Sequence, residues 1–118
     1  MAKGFGDYVR KVREELRESD EKYSVRQVAQ RIGVEPSFLS KVERGDVPPP
    51  SESKIVALAR ELGQDADVLL ALAGKVSSDL QDAIRRRPEV FASLIRELRR
   101  MPDHAVLRLV REVRDGKW

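Results

Sequence analysis

The chain has 118 residues, of which 41% are apolar, 36% charged and 5% aromatic, a globular composition that fits one small domain or one with an appendage. It contains no cysteine, which excludes disulfides, thiol chemistry and cysteine-ligated zinc. The net charge is +3 but unevenly spread: residues 1–74 carry 12 lysines and arginines against 13 acidic residues, and residues 75–118 carry 11 against 7. The N-terminal MAKGFGDYVRK lacks an apolar leader, and the longest apolar run, 68–73, falls far short of the ~20 residues that span a bilayer. The expectation is a cytoplasmic protein with no membrane contact.

The apolar spacing is helical nearly throughout. Phe5, Tyr8, Val9, Val12 and Leu16 predict a first helix over about 4–18, and the polar 19–23 predicts a loop. Ser24 and Gln27 form a predicted capping box for a second helix with Val25, Val28, Ala29 and Ile32 inside and Gly33 as its stop. Pro36 suits the first turn of a third helix, which carries Phe38, Leu39 and Val42 and ends at Gly45. Val47-Pro48-Pro49-Pro50 is a stiff spacer. Ser51 is expected to cap a fourth helix (Ile55, Leu58, Ala59, Leu62) closed by Gly63. Asp65 is expected to cap a fifth, with Val68, Leu69, Leu72 and Ala73 inside and Gly74 at its end. Beyond this, Ser78 and Gln81 read as a second capping box leading to Leu80, Ala83 and Ile84, and Pro88 and Pro102 each start a further helix.

The informative stretch runs from Ser24 to Gly45, SVRQVAQRIGVEPSFLSKVERG. Two helices of about nine residues meet at a tight turn at Gly33, with small Ala29 where they approach and Val28, Ile32, Leu39 and Val42 locking them. This is the spacing of a helix-turn-helix, whose second helix presents its outer face to a major groove. Over residues 5–74 the sequence resembles the lambda-repressor/Cro-like (XRE) family. The resemblance is carried by Gln27, Ala29, Gly33, Val34, Pro36, Ser37, Leu39, Ser40, Glu43-Arg44-Gly45 and Pro48–Ser51. It implies an all-α fold, a five-helix lambda-repressor-like DNA-binding domain over 1–74 followed by an amphipathic helical extension over 75–118.

The resemblance also implies a division of labour on double-stranded DNA. Pro36, Ser37, Ser40 and Lys41 map to the outward, base-reading face of the third helix, where a lysine can donate to guanine O6 and N7 and a serine hydroxyl can donate or accept. Ser24, Arg26, Gln27, Gln30, Phe38, Arg44 and Ser51 are candidates for the DNA backbone, Phe38 having packing or a thymine methyl as alternatives. Glu43 is expected to pair with an arginine of the first helix, Arg13 first and Arg10 or Arg17 as substitutes. Two departures stand out. Glu35 occupies the cap of the third helix, where the family carries serine or threonine, and the 19–23 loop is longer and more acidic than the family's.

In 75–118, the last two helices each show an apolar stripe that must be covered. The stripe packs either on the protein's own first domain or, preferred here, on a second copy, through Val90, Phe91, Leu94, Leu98, Val106, Leu109 and Val113. Arg85-Arg86-Arg87 and Arg99-Arg100 read as solvated faces ion-paired to Glu89 or Glu97 rather than as a DNA tail. Trp118 either docks on a partner or frays. The lone histidine, His104, has no companion for a metal set or a nucleophile pair, and Gly4-Phe5-Gly6 lacks the strand that a nucleotide loop needs. The expectation is therefore a regulator of bacterial or phage type, a repressor at the nucleoid acting as a homodimer on a palindromic operator. No cofactor, metal site or enzyme activity is expected. The alternative is an antitoxin-type protein whose C-terminal helices bind a protein partner while the first domain autoregulates.

Overall fold

The structure, a computed structural model, describes residues 2–116, with side chains from Gly4 onward; Trp118 lies outside the described residues. The described chain is helical and divides into two compact units at Ser78/Asp79. The first holds α1 (Ala2–Arg17), α2 (Val25–Ile32), α3 (Pro36–Arg44), α4 (Glu52–Glu61) and α5 (Ala66–Leu72). Then follow α6 (Ser78–Arg86), α7 (Pro88–Arg100) and α8 (Asp103–Asp115).

The core of the first unit is built from Phe5 and Val9 of α1, Val28, Ala29 and Ile32 of α2, Leu39 and Val42 of α3, Ile55, Leu58 and Ala59 of α4 with Leu62 after it, and Leu69 and Leu70 of α5. These are the one-face positions that helical spacing selects, with one exception. Val68 is 52% exposed while Leu70 is fully buried. The VLLALA run is apolar on every side, so its pattern gives no phase, and contact with α4 and α1 decides which side turns inward.

The helix ends follow local chemistry. Gly33 and Gly45 close α2 and α3 in the left-handed region, at φ 78° and 77°. In each case the glycine N–H and the next residue's N–H return to the last turn: Gly33 to the Gln30 carbonyl and Val34 to that of Ala29, Gly45 to Val42 and Asp46 to Lys41. Such a close satisfies carbonyls that the helix leaves unpaired, at a φ that only glycine adopts without strain. Asp65 caps α5 by accepting from Asp67 N and Val68 N.

Three expected caps differ. Ser24 Oγ accepts from Gln27 N at 3.2 Å, but its own N–H donates to the Glu21 carbonyl, so the Gln27 side chain makes no reciprocal bond there. The cause is a short 3₁₀ turn, Glu21–Tyr23, capped by Asp20 within the expected loop. Ser51 stands at the start of α4 without a side-chain cap, its hydroxyl lying 3.3 Å from that of Ser53. Ser78 is the first residue of α6 and donates its hydroxyl to the Glu52 carboxylate at 3.1 Å, so this hydroxyl is turned toward the start of α4. With Lys75 Nζ donating to the Pro50 carbonyl at 2.9 Å, this bond ties residues 75–78 to the start of α4 and carries the unit boundary past Gly74.

Gly6 has a packing role that the sequence did not signal. A Cβ there would collide with the carbonyl oxygen of Val42 and stand 2.6 Å from that of Glu43. α1 therefore crosses the end of α3 at glycine distance, which brings Arg13 level with Glu43.

Candidate nucleic-acid interface

α3 is fixed from behind by a buried ion pair. Arg13 and Glu43 are 2% and 3% exposed. Arg13 Nε donates to Glu43 Oε2 at 2.7 Å and Nη2 to Oε1 at 2.9 Å, a two-point fork that sets orientation as well as distance. The remaining donors reach the Tyr23 carbonyl at 3.1 Å and Glu14 at 3.0 Å. Burial alone lowers the basicity of the guanidinium, but the hydrogen bonds and charges of Glu43 and Glu14 outweigh it and hold its pKa above the ordinary arginine value. Among the described residues no buried side-chain nitrogen or oxygen lacks a partner. Of the three arginines considered for this pair, only Arg13 takes it: Arg17 pairs with Glu21 and Arg10 is exposed.

The turn into α3 is held by a residue that the sequence reading missed. Lys54 of α4 donates from Nζ to the Ile32 carbonyl at 3.0 Å and lies 3.4 Å from that of Gly33. A cation at the carbonyl end of α2 opposes the negative pole of that helix. The only sequence signal was a lysine set beside the apolar stripe of α4.

So anchored, α3 turns Ser37, Lys41 and Arg44 to solvent at i, i+4 and i+7, a single line along the helix. Pro36 is half-buried at the first turn, and Glu35 before it is exposed and makes no cap hydrogen bond. An open hollow between α2 and α3 is lined by Arg26, Gln30, Gly33, Val34, Glu35, Pro36 and Phe38, which brings Arg26 and Gln30 beside the start of α3. Phe38 is half-buried against the core and also borders this hollow. Gln27 is exposed on α2, and Ser24 is half-buried with its hydroxyl engaged in capping.

Ser40 is half-buried and borders a second shallow depression with Arg10, Arg13, Glu14, Val25, Glu43 and Arg44. It therefore stands toward α1, away from the Ser37–Lys41 line. Arg10, named from sequence only as a substitute partner for Glu43, is an exposed cation on this rim. Arg44 is held by Asp46 at 2.9 Å, so an anion that engages Arg44 competes with a carboxylate. Ser51 is exposed at the start of α4.

No group of three or more histidine, cysteine, aspartate or glutamate residues suited to a metal ion occurs among the described residues, and His104 is exposed at the start of α8. No helix among them is long and apolar enough to cross a membrane.

A helix locked from behind by an ion pair, with a polar line facing outward and a capped turn in front, is the architecture of a helix-turn-helix domain. Residues 5–72 match the family model described as "Helix-turn-helix domain". The match covers more than half of the chain, and the protein belongs to that family. No curated protein and no solved structure matches it significantly. The family is one of DNA-binding domains, and the all-helical fold agrees with it.

Proposed function

We propose that this protein is a sequence-specific double-stranded DNA-binding transcription regulator of the lambda-repressor/Cro-like kind. It acts as a repressor, as a homodimer on a palindromic operator, in a bacterial cytoplasm at the nucleoid. It works by binding alone, with neither cofactor nor catalysis. The observation that carries this reading is the exposed Ser37–Lys41–Arg44 line on a helix that the Arg13–Glu43 fork holds rigidly. Lys41 and Ser37 read base edges from this line, with Pro36 in van der Waals contact and Ser40 at its margin. Arg26, Gln27 and Gln30 engage phosphates on one side through their side chains, and Ser24 through the amides that follow it. Phe38, which borders the same hollow as Arg26 and Gln30, meets the backbone on that side, and Arg44 and Ser51 meet it beyond the recognition helix. Arg10 adds a cation to that rim.

Selection of bound sequences from random duplexes tests the reading. The expected product is a palindrome with half-sites about one helical turn, ~34 Å, apart. Lys41→Ala then weakens binding to that site by ~1–3 kcal/mol and relaxes selectivity at one position per half-site. Unchanged affinity and selectivity in this variant would remove α3 as the reading helix.

A further inference from the structure

The turn between α2 and α3 is short of a donor. Were α2 to continue, the Ile32 carbonyl would accept from the amide of residue 36, and in a closed four-residue turn the Gly33 carbonyl would accept from the same amide. Residue 36 is a proline, which has no N–H to give. Lys54 of α4 takes its place: Nζ donates to the Ile32 carbonyl at 3.0 Å and lies 3.4 Å from that of Gly33. A Cβ on residue 33 would stand 3.0 Å from the same Nζ. Glycine therefore serves twice at this position, supplying the left-handed φ of 78° and leaving room for the cation. Lys54 is half-buried, and its ammonium is turned into the domain rather than toward solvent.

We propose that Lys54 is a positioning residue that determines sequence specificity. By supplying the donor that Pro36 withdraws, it sets the angle at which α3 leaves α2, and with it which bases α3 reaches. That consequence rests on the DNA-binding function proposed above. Phosphate contacts fix a protein's register on the duplex, while base edges carry the sequence. Here the two tasks fall on different helices: the exposed Arg26 and Gln30 belong to α2, the exposed Ser37 and Lys41 to α3. The turn between them decides whether both sets are satisfied at once. Hydrogen bonds to base edges leave it little latitude, because they weaken steeply once distance and angle leave a narrow range.

The polar hold on α3 is uneven along its length. Its close is anchored by Glu43, forked to Arg13 at 2.7 Å and 2.9 Å. Its start has no polar anchor of its own, since Glu35 gives no side-chain cap hydrogen bond, and Lys54 fixes that end through the turn. Without Lys54, α3 pivots about the fork. Ser37 lies in the first turn and Lys41 one turn nearer the fork, so the displacement is larger at Ser37 than at Lys41. A direct contact of Lys54 with a phosphate has a different signature: equal weakening on every sequence and a smaller salt dependence.

The experiment takes the full chain and its Lys54→Met and Lys54→Arg variants at a temperature where circular dichroism shows all three folded. Affinity is measured for the duplex selected by the wild type, for its single-base variants and for unrelated duplex, over a range of salt. Lys54→Met is expected to bind the selected duplex ~10-fold or more weakly, and unrelated duplex as before, with an unchanged salt slope. Its selectivity relaxes chiefly beside the base pair that Lys41→Ala relaxes, and Lys54→Arg recovers most of the preference. An unchanged ratio of selected to unrelated affinity overturns the proposal. So does a salt slope reduced by about one, which makes Lys54 a phosphate contact. Amide exchange in the free protein reads the same hold without DNA. The Leu39 amide makes the first hydrogen bond of α3, to the Glu35 carbonyl at 3.1 Å, and the Leu69 amide that of α5, to the Asp65 carbonyl at 3.0 Å. Lys54→Met should speed exchange at Leu39 ~10-fold relative to Leu69. If Leu39 is released but the wild type prefers no sequence, Lys54 positions α3 and the DNA-reading function fails. If Leu39 is not released, the positioning role fails whatever the DNA result.

Discussion

Gly6→Ala sets two effects of opposite sign against each other in one helix. Alanine is favoured over glycine inside a helix by ~1 kcal/mol, so propensity alone predicts a more stable protein. The structure predicts the reverse. A Cβ at position 6 would collide with the Val42 carbonyl oxygen and lie 2.6 Å and 2.9 Å from the Glu43 carbonyl oxygen and carbon. The atoms in the way are the backbone of α3, which has no rotamer to change, so α1 must move away from α3. Overpacking of this kind costs ~1–3 kcal/mol and more where the neighbour is rigid. The same displacement draws Arg13 away from Glu43, and separating a buried pair adds to the loss.

The net expectation is destabilisation by about 2 kcal/mol or more, a melting shift of roughly 8–16 °C for a domain of this size. Gly4→Ala is the internal control. It lies in the same helix two residues earlier, exposed, with nothing within 4 Å of the added carbon, so it should stabilise by up to ~1 kcal/mol. Calorimetry of both variants of the full chain, read on the transition of the first unit, checks the pair. If Gly6→Ala melts at or above the wild type, α1 and α3 are not held at glycine distance and the account of how α3 is positioned is wrong.

The remaining predictions concern the same helix. Arg13→Met or Glu43→Leu alone should cost ~3–5 kcal/mol, each leaving a buried charge without its partner, while the double variant recovers most of the loss; urea unfolding of the cycle measures it, and a double variant as unstable as the sum refutes the burial argument. Because the Arg13 pKa is raised above its ordinary value, the arginine's share of this stability is fully present below that ordinary value. It is lost only as pH rises through the still higher folded value, so no transition at neutral pH should be traceable to Arg13. Glu35→Ser should stabilise the protein by ~0.5–2 kcal/mol by supplying the absent cap of α3, and should also tighten DNA binding by removing a carboxylate beside the phosphates. Titration with an operator half-site at fixed salt reads the second effect, and weaker binding would mean that Glu35 itself reads a base.

What the sequence made legible is chemistry that acts over a few residues. The stop at Gly33 and the start at Pro36 depend on backbone freedom and a missing amide, and both stand where spacing put them. The pairing of Glu43 with α1 was legible through the family resemblance, and helix phase then decides among the arginines. Arg13 follows Val9 at i+4 and so shares the buried face, which Arg10 does not; Arg17, a further turn on, shares that face but pairs with Glu21 instead. What stayed hidden depends on elements far apart in sequence. Gly6 looks like a weak point in a helix until α3 lies across it, and Lys54 looks like one more surface cation until the end of α2 arrives beside it. Val68 and Leu70 exchanged roles because a uniformly apolar run carries no phase of its own.

The same distinction explains why the two units ask for different evidence. In the first, the core faces of all five helices pack on one another, and α3 is constrained at both ends: by Gly6 and the Arg13–Glu43 fork of α1 at its close, and by Lys54 at the turn before it. Such a helix can read a surface without first being ordered by it, so binding forfeits little conformational entropy on the protein side. In the second unit the periodicity is as clear, yet periodicity states only that a face must be covered and never by what.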